Sequence, residues 1–230
     1  MKIYTYYENI DFSNQEVLLR LWYFSWAKLG FEPIVLGIKD AEKHSNFSSF
    51  NNEMSNICQN IKSPNKRHEE DEKYVMSCHR RWLAYASQKP GRFLVSDYDV
   101  INFGLKPDDP KLEKMKDNKL YFLDNLCPCL AVGRPKHFQN FANDLLTNGK
   151  ENVKNEREWN GSLYHDQEIL LHNESFFRNS NKYEFYQHEC HKYIWTQLRH
   201  YSHGYISELR SMPLEKLRTE LIKTQLRIGN

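Results

Sequence analysis

The chain has 230 residues, with 32 basic and 30 acidic side chains and a formal net charge of +2. That balance supplies no global field to draw in nucleic acid or an anionic membrane, so any anion site has to be local. With 40% hydrophobic and 14% aromatic residues the chain can bury one α/β core at this length, and no stretch reaches the apolar run of a bilayer span.

Taken in chain order, Lys2 to Tyr7 is rich in Tyr and Ile and reads as a strand entering the core. From Ser13 the period changes to that of a helix. Val17, Leu18, Leu21, Trp22 and Leu29 share a face, Ser13 or Asn14 stands as cap, and Gly30 stops the run. Pro33 to Gly37 is a second buried strand, which makes the first forty residues a β-α-β unit with a right-handed crossover. Asp40 to Arg67 is rich in Asn and Ser with weak periodicity, and reads as a loop region holding at most a short helix before the charge run Lys66 to Lys73. Glu72 to Gln88 reads as a helix with Tyr74, Val75, Cys78, Trp82 and Tyr85 on one face, ended by Lys89-Pro90-Gly91.

Arg92 to Ser96 is a buried strand, and Asp97-Tyr98-Asp99 follows at its carboxyl end. Open α/β sheets bind ligands in the crevice beyond the carboxyl ends of their strands, so this is where acidic residues can do chemistry. A Mg²⁺ or Mn²⁺ ion takes one or two carboxylates and leaves its other positions to water and substrate phosphate. The bare Asp-x-Asp string is common and also suits a solvated turn; the apolar strand before it carries the reading. Lys119 to Leu123 and Leu130 to Gly133 read as shorter strands, and Pro135 to Leu146 as a helix. Gly149 to Gly161 reads as a loop, His165 to His172 as the start of a helix, Lys192 to Leu198 as a strand, and Pro213 to Ile228 as an amphipathic helix. No internal repeat or low-complexity segment is present.

The five cysteines are odd in number and irregularly spaced, which fits free thiols rather than a disulfide framework. Cys127-Pro128-Cys129 lacks the second pair or nearby His that a zinc site needs. Met1 to Glu8 carries no basic leader ahead of an apolar run, so the expected location is cytoplasmic.

Tyr4, Tyr6 and Tyr7 on the first strand, the helix with Trp22 and Trp26, and the strand from Phe31 to Leu36 form one ordered series. His79-Arg80-Arg81-Trp82-Leu83-Ala84 and Val95-Ser96-Asp97-Tyr98-Asp99-Val100 continue it. The series resembles the GT-A-fold, Asp-x-Asp-motif glycosyltransferases, in particular small viral and bacterial enzymes, over about residues 1–135. The resemblance implies an open mixed, Rossmann-like sheet flanked by helices in a single domain. Residues 1–135 would form its nucleotide-sugar and metal half, and 136–230 its acceptor half. It further implies a hexosyl- or pentosyltransferase using a UDP- or GDP-sugar donor, a glycan or glycoconjugate acceptor, and Mn²⁺ or Mg²⁺; were the source viral, the compartment would be the host cytoplasm.

By the same resemblance Tyr4, Thr5, Tyr6 and Tyr98 lie at the donor, and Arg81, with Arg80 as its rival, meets the sugar or diphosphate. Asp97 and Asp99 hold the cation, and a late His completes its shell. His200 and His203 are the candidates, with His188 and His191 also open. Asp166, in His165-Asp166-Gln167-Glu168, would be the catalytic or acceptor-orienting carboxylate, Asp124 the alternative base, and a helix N-cap the structural role that Asp166 suits equally well. A nucleotidyltransferase would share paired carboxylates and a metal but bring a Gly-rich phosphate loop, which Tyr4 to Asp11 lacks. A non-catalytic carbohydrate-binding module would need tryptophans on its surface, whereas their helical spacing points to the core.

Overall fold

Successive side chains of a strand point to opposite faces of its sheet, and here both faces are apolar. Tyr4, Tyr6, Phe93, Val95, Leu120, Phe122 and Ala131 are buried in one core cluster, while Ile3, Leu94, Tyr121, Leu130 and Val132 are buried in a second. The computed structural model describes residues 1–9, 15–61, 69–115, 117–123, 126–158, 164–186, 197–200, 220 and 222–223, without the side chains of 69–71, 199 and 200.

A sheet buried on both faces needs a helical layer on each. Strands β1 (Lys2–Tyr6), β2 (Glu32–Leu36), β3 (Phe93–Ser96), β5 (Leu120–Phe122), β6 (Leu130–Gly133) and β7 (Tyr183–Phe185) form the main sheet, in the order β2-β1-β3-β6-β5-β7. β1 runs parallel to both β2 and β3, and β6 is antiparallel to β3 and β5. Two short strands, β4 (Val100–Asn102) and β8 (Leu198–His200), pair antiparallel outside it. Helix α1 (Gln15–Ala27) lies on one face with α5 (Pro110–Lys114). On the other lie α3 (Phe47–Asn60), α4 (Glu69–Ala86), α6 (Pro135–Lys154), α7 (Asp166–His172) and α8 (Glu174–Asn179). This is the GT-A-like open mixed sheet flanked by helices that the sequence implies. Among the described residues no helix is long and apolar enough to cross a membrane.

The first unit follows its sequence pattern. α1 ends at Ala27 and a turn runs on to Gly30, whose φ of +91° lies in the left-handed region that glycine enters at no steric cost, before the chain enters β2. The proposed caps Ser13 and Asn14 lie outside the described residues.

Three readings need correction. The described part of the Asp40 to Arg67 stretch, up to Ile61, is mostly helical: α2 (Ile38–Ala41) precedes the 14-residue α3, which buries Phe50, Met54, Ile57 and Cys58. Those positions have helical spacing, but Asn and Ser between them dilute the signal. Helix α6 runs on to Lys154, through the stretch from Gly149 read as loop. A Cβ on Gly149 would meet Ile57 Cδ1 and Cγ2 at 3.1 Å, so this glycine lets α3 close onto α6 instead of ending the helix. Elements α5, α8, β4 and β7 were not expected at all; each has six residues or fewer, too short for periodicity to declare. Most of the strand expected over 192–198 and of the helix expected over 213–228 lies outside the described residues, although Glu220, Ile222 and Lys223 are helical.

Candidate active site

The strand order places a switch point at the carboxyl ends of β1 and β3, because the chain moves from β1 to β2 on one side and returns to β3 on the other. Asp97-Tyr98-Asp99 leaves β3 there as a tight turn, closed by the Val100 amide donating to the Asp97 carbonyl at 3.0 Å. The Asp97 amide donates to the Cys129 carbonyl at 2.8 Å, which extends the β3–β6 ladder by one residue.

Two indoles of α1 fix the turn from one face. Trp22 Nε1 donates to Ser96 Oγ at 2.8 Å, just before Asp97, and Trp26 Nε1 donates to the Val100 carbonyl at 3.0 Å, just after Asp99. Both rings are fully buried, and a buried indole N–H takes a partner or costs free energy. The four-residue spacing puts them on one stripe of the helix.

From the opposite face α4 supplies charge. Arg81, 8% exposed, donates through Nη1 to Asp97 Oδ1 and through Nε and Nη2 to Asp166 Oδ2 at 2.9 and 2.6 Å. Trp82 Nε1 adds a 2.7 Å bond to the same Asp166 oxygen, and the Gln167 amide donates to the other at 2.9 Å. Burial alone would raise the Asp166 pKa, but the Arg81 charge outweighs it and holds the carboxyl well below its usual range. Burial would likewise lower the Arg81 pKa, and the two carboxylates drive it up instead. Cys78 stands beside them with its thiol pushed up to about 12 by burial and the Asp166 charge.

The residues named from sequence do not all converge. Asp97, Asp99, Arg81 and Asp166 share this cluster or its edge, with Asp99 9% exposed. Arg80 turns elsewhere, to Glu8 Oε2 at 3.1 Å and Asn51 Oδ1 at 2.7 Å. Asp166 is the first residue of α7, with His165 at the N-cap position. Tyr4, Thr5 and Tyr6 are buried within β1, Tyr4 edge-on to Phe93 and Tyr6 donating to Glu8. Tyr7, the residue that follows β1, is the one whose ring meets Tyr98 of the turn, edge to face at 6.0 Å. Its signal was available, since it is the last aromatic at the strand's carboxyl end. His200 stands opposite Val100 in the β4–β8 register, one residue from Asp99, although its side chain is not described. Asp124, His188, His191 and His203 lie outside the described residues.

Asp97 and Asp99 carry carboxylate oxygens, the donor type that a divalent cation takes, and Asp97 Oδ1 here accepts from Arg81. Among the described residues no group of three His, Cys, Asp or Glu side chains forms a protein-only metal cage. Cys58, Cys78, Cys127 and Cys129 are in no disulfide bond.

No protein-family model matches the sequence, and no curated protein sequence matches it significantly. Among solved structures the chain is similar to a glycosyltransferase involved in the glycosylation of the major capsid of PBCV-1. The TM-score is 0.50 and the identity 11%, over 96% of this chain and 98% of that one. At that identity the likeness is one of fold, and it extends over nearly the whole of both chains.

Proposed function

We propose that this protein is a glycosyltransferase that moves a sugar from a nucleotide-diphosphate sugar to a hydroxyl of a glycan or glycoconjugate. The observation that carries the reading is the pair Asp97 and Asp99 at the β1/β3 switch point, on a fold shared with a glycosyltransferase. In this reading the two carboxylates hold Mn²⁺ or Mg²⁺, with His200 or His203 as a further ligand. The cation, when bound, neutralises the charge of the departing nucleoside diphosphate.

Tyr7 and Tyr98 offer ring faces and edges to the nucleotide base. Arg81 presents its guanidinium to sugar or phosphate oxygens. Asp166 acts as a positioning residue: four donors and a depressed pKa suit a carboxylate that holds Arg81, not a general base, whose pKa belongs near the working pH. Asp124 is the remaining candidate base. Residues 136–230 supply the acceptor side of the same domain, and the capsid glycosylation in which the structural neighbour takes part makes a surface glycan the acceptor class to try first.

The described tryptophans Trp22, Trp26 and Trp82 are fully buried, which disfavours a module that binds sugar on a tryptophan platform. Sugar transfer or donor hydrolysis by Asp97→Ala and Asp99→Ala tests the proposal. Both variants should keep the native circular dichroism and lose activity by about a hundredfold or more; full turnover by either contradicts it.

A further inference from the structure

One motif of the sequence has no role in the proposed chemistry: Cys127-Pro128-Cys129, in the connection between the antiparallel strands β5 and β6. Two cysteines one residue apart have their Cα atoms held within about 7 Å by covalent geometry alone. A turn shortens that span into the roughly 4.4–6.8 Å that a disulfide bridges. Here Pro128 and Cys129 lie in a turn, and Leu126 just before them takes a φ of +48° as the chain doubles back. Both side chains pack with the same apolar cluster on the α1 face of the sheet, Cys129 within it and Cys127 at its margin. The two thiols therefore share one side of the bend.

Their exposure differs in a way that stepwise thiol–disulfide exchange can use. Cys127 is half-buried and meets solvent, whereas Cys129 is 2% exposed and is reached from its neighbour. The other described cysteines stand apart, because Cys58 on α3 and Cys78 on α4 belong to the opposite helical layer. Cys129 is also tied to the crevice. Its carbonyl accepts the Asp97 amide at 2.8 Å, and the Leu130 carbonyl after it accepts the Leu123 amide at 3.0 Å. A ring closed through Cys129 resets the backbone angles of the residue that holds Asp97.

We infer that Cys127 and Cys129 form a reversible disulfide, and that closing it loosens the hold on Asp97. With glutathione disulfide as the oxidant, the Cys127 thiolate attacks one of its sulfurs and expels a glutathione thiolate, which takes up the proton that Cys127 released. The Cys129 thiol then loses its proton and attacks Cys127 Sγ; the protein disulfide forms, and the second glutathione leaves and takes that proton. Two protein thiols are oxidised and one glutathione disulfide is reduced to two glutathione thiols. The bond acts on the turn that carries Asp97 and Asp99, whatever reaction that turn serves.

The test equilibrates the intact chain in glutathione buffers of rising disulfide fraction, maps cysteine pairing by mass spectrometry of proteolytic peptides, and follows hydrogen exchange of the Asp97 amide by NMR. The peptide holding Cys127 and Cys129 should lose two hydrogen atoms and regain them in dithiothreitol. In the oxidised form the Asp97 amide should exchange about tenfold faster. Cys127→Ser should keep the parent's unfolding midpoint and its slow Asp97 exchange in every buffer. A peptide that stays reduced, that stops at a mixed disulfide with glutathione, or that pairs with Cys190 instead overturns the proposal. A closed Cys127–Cys129 disulfide with Asp97 exchange unchanged overturns its coupling to the turn.

Discussion

The two faces of the sheet treat the Asp97–Asp99 turn differently. From the α1 face it receives position: two neutral indoles hold the backbone and side chain at its ends, at Ser96 and Val100. From the α4 face it receives charge: a buried guanidinium joins Asp97 to Asp166, on a helix 85 residues downstream of Arg81. Geometry and electrostatics are thus set by separate layers, so each should be removable without erasing the other.

The largest expected effect on stability comes from the charged face. Arg81→Met leaves Asp166 ionised and buried with neutral donors only, and should cost about 3–5 kcal/mol in denaturant unfolding. Arg81→Met with Asp166→Leu should recover much of that loss, since the unpaired charge is gone; a double variant no more stable than the single one would show that the ion pair is not the source.

A second effect on the same face depends on pH. His79 is fully buried among Cys58, Tyr164, Asp166, His165 and Arg81, and burial lowers its pKa from 6.5 to about 4, with Asp166 opposing. Between those values the unfolded chain binds a proton that the folded imidazole does not. Stability is therefore full above pH 6.5 and falls as pH drops toward 4, by about 3 kcal/mol from this group alone. Asp166, whose folded pKa is depressed, adds its own loss only at lower pH. His79→Gln should flatten the slope of unfolding free energy between pH 6.5 and 4, and an unchanged slope would assign it to other groups.

The smallest effect belongs to the α1 face. Trp22→Phe removes the bond to Ser96 and part of a buried ring, and should cost about 2 kcal/mol. Because this face supplies position, the variant should also raise KM for the donor while the pH slope stays as in the parent. A Trp22→Phe enzyme with unaltered KM would mean that the indole serves only the core.

What could be read from the sequence divides along physical lines. The first β-α-β unit, α4 and β3 declare themselves because their apolar residues are dense and their ends carry Gly or Pro. The position of Asp97 and Asp99 at the end of β3 was legible for the same reason. Helix α3 was obscured by Asn and Ser, and Gly149 was misread because its value lies in the closeness of Ile57, which no local pattern reports. The Arg81–Asp166 pair, the Trp82 bond to Asp166 and the approach of Tyr7 to Tyr98 join residues distant in the chain. They depend on strand order, which periodicity does not contain. The choice of Arg81 over Arg80 is of the same kind: adjacent residues on one helix point to different neighbours.

The most direct measurement is a calorimetric titration of the intact protein with UDP- and GDP-sugars, with and without Mn²⁺, repeated on Asp97→Ala. The expected result is saturable binding of one donor class that requires the cation and disappears in the variant. Binding that ignores both Mn²⁺ and the loss of the Asp97 carboxylate, or no binding of either donor, would contradict a cation-bridged nucleotide-sugar site at the end of β3.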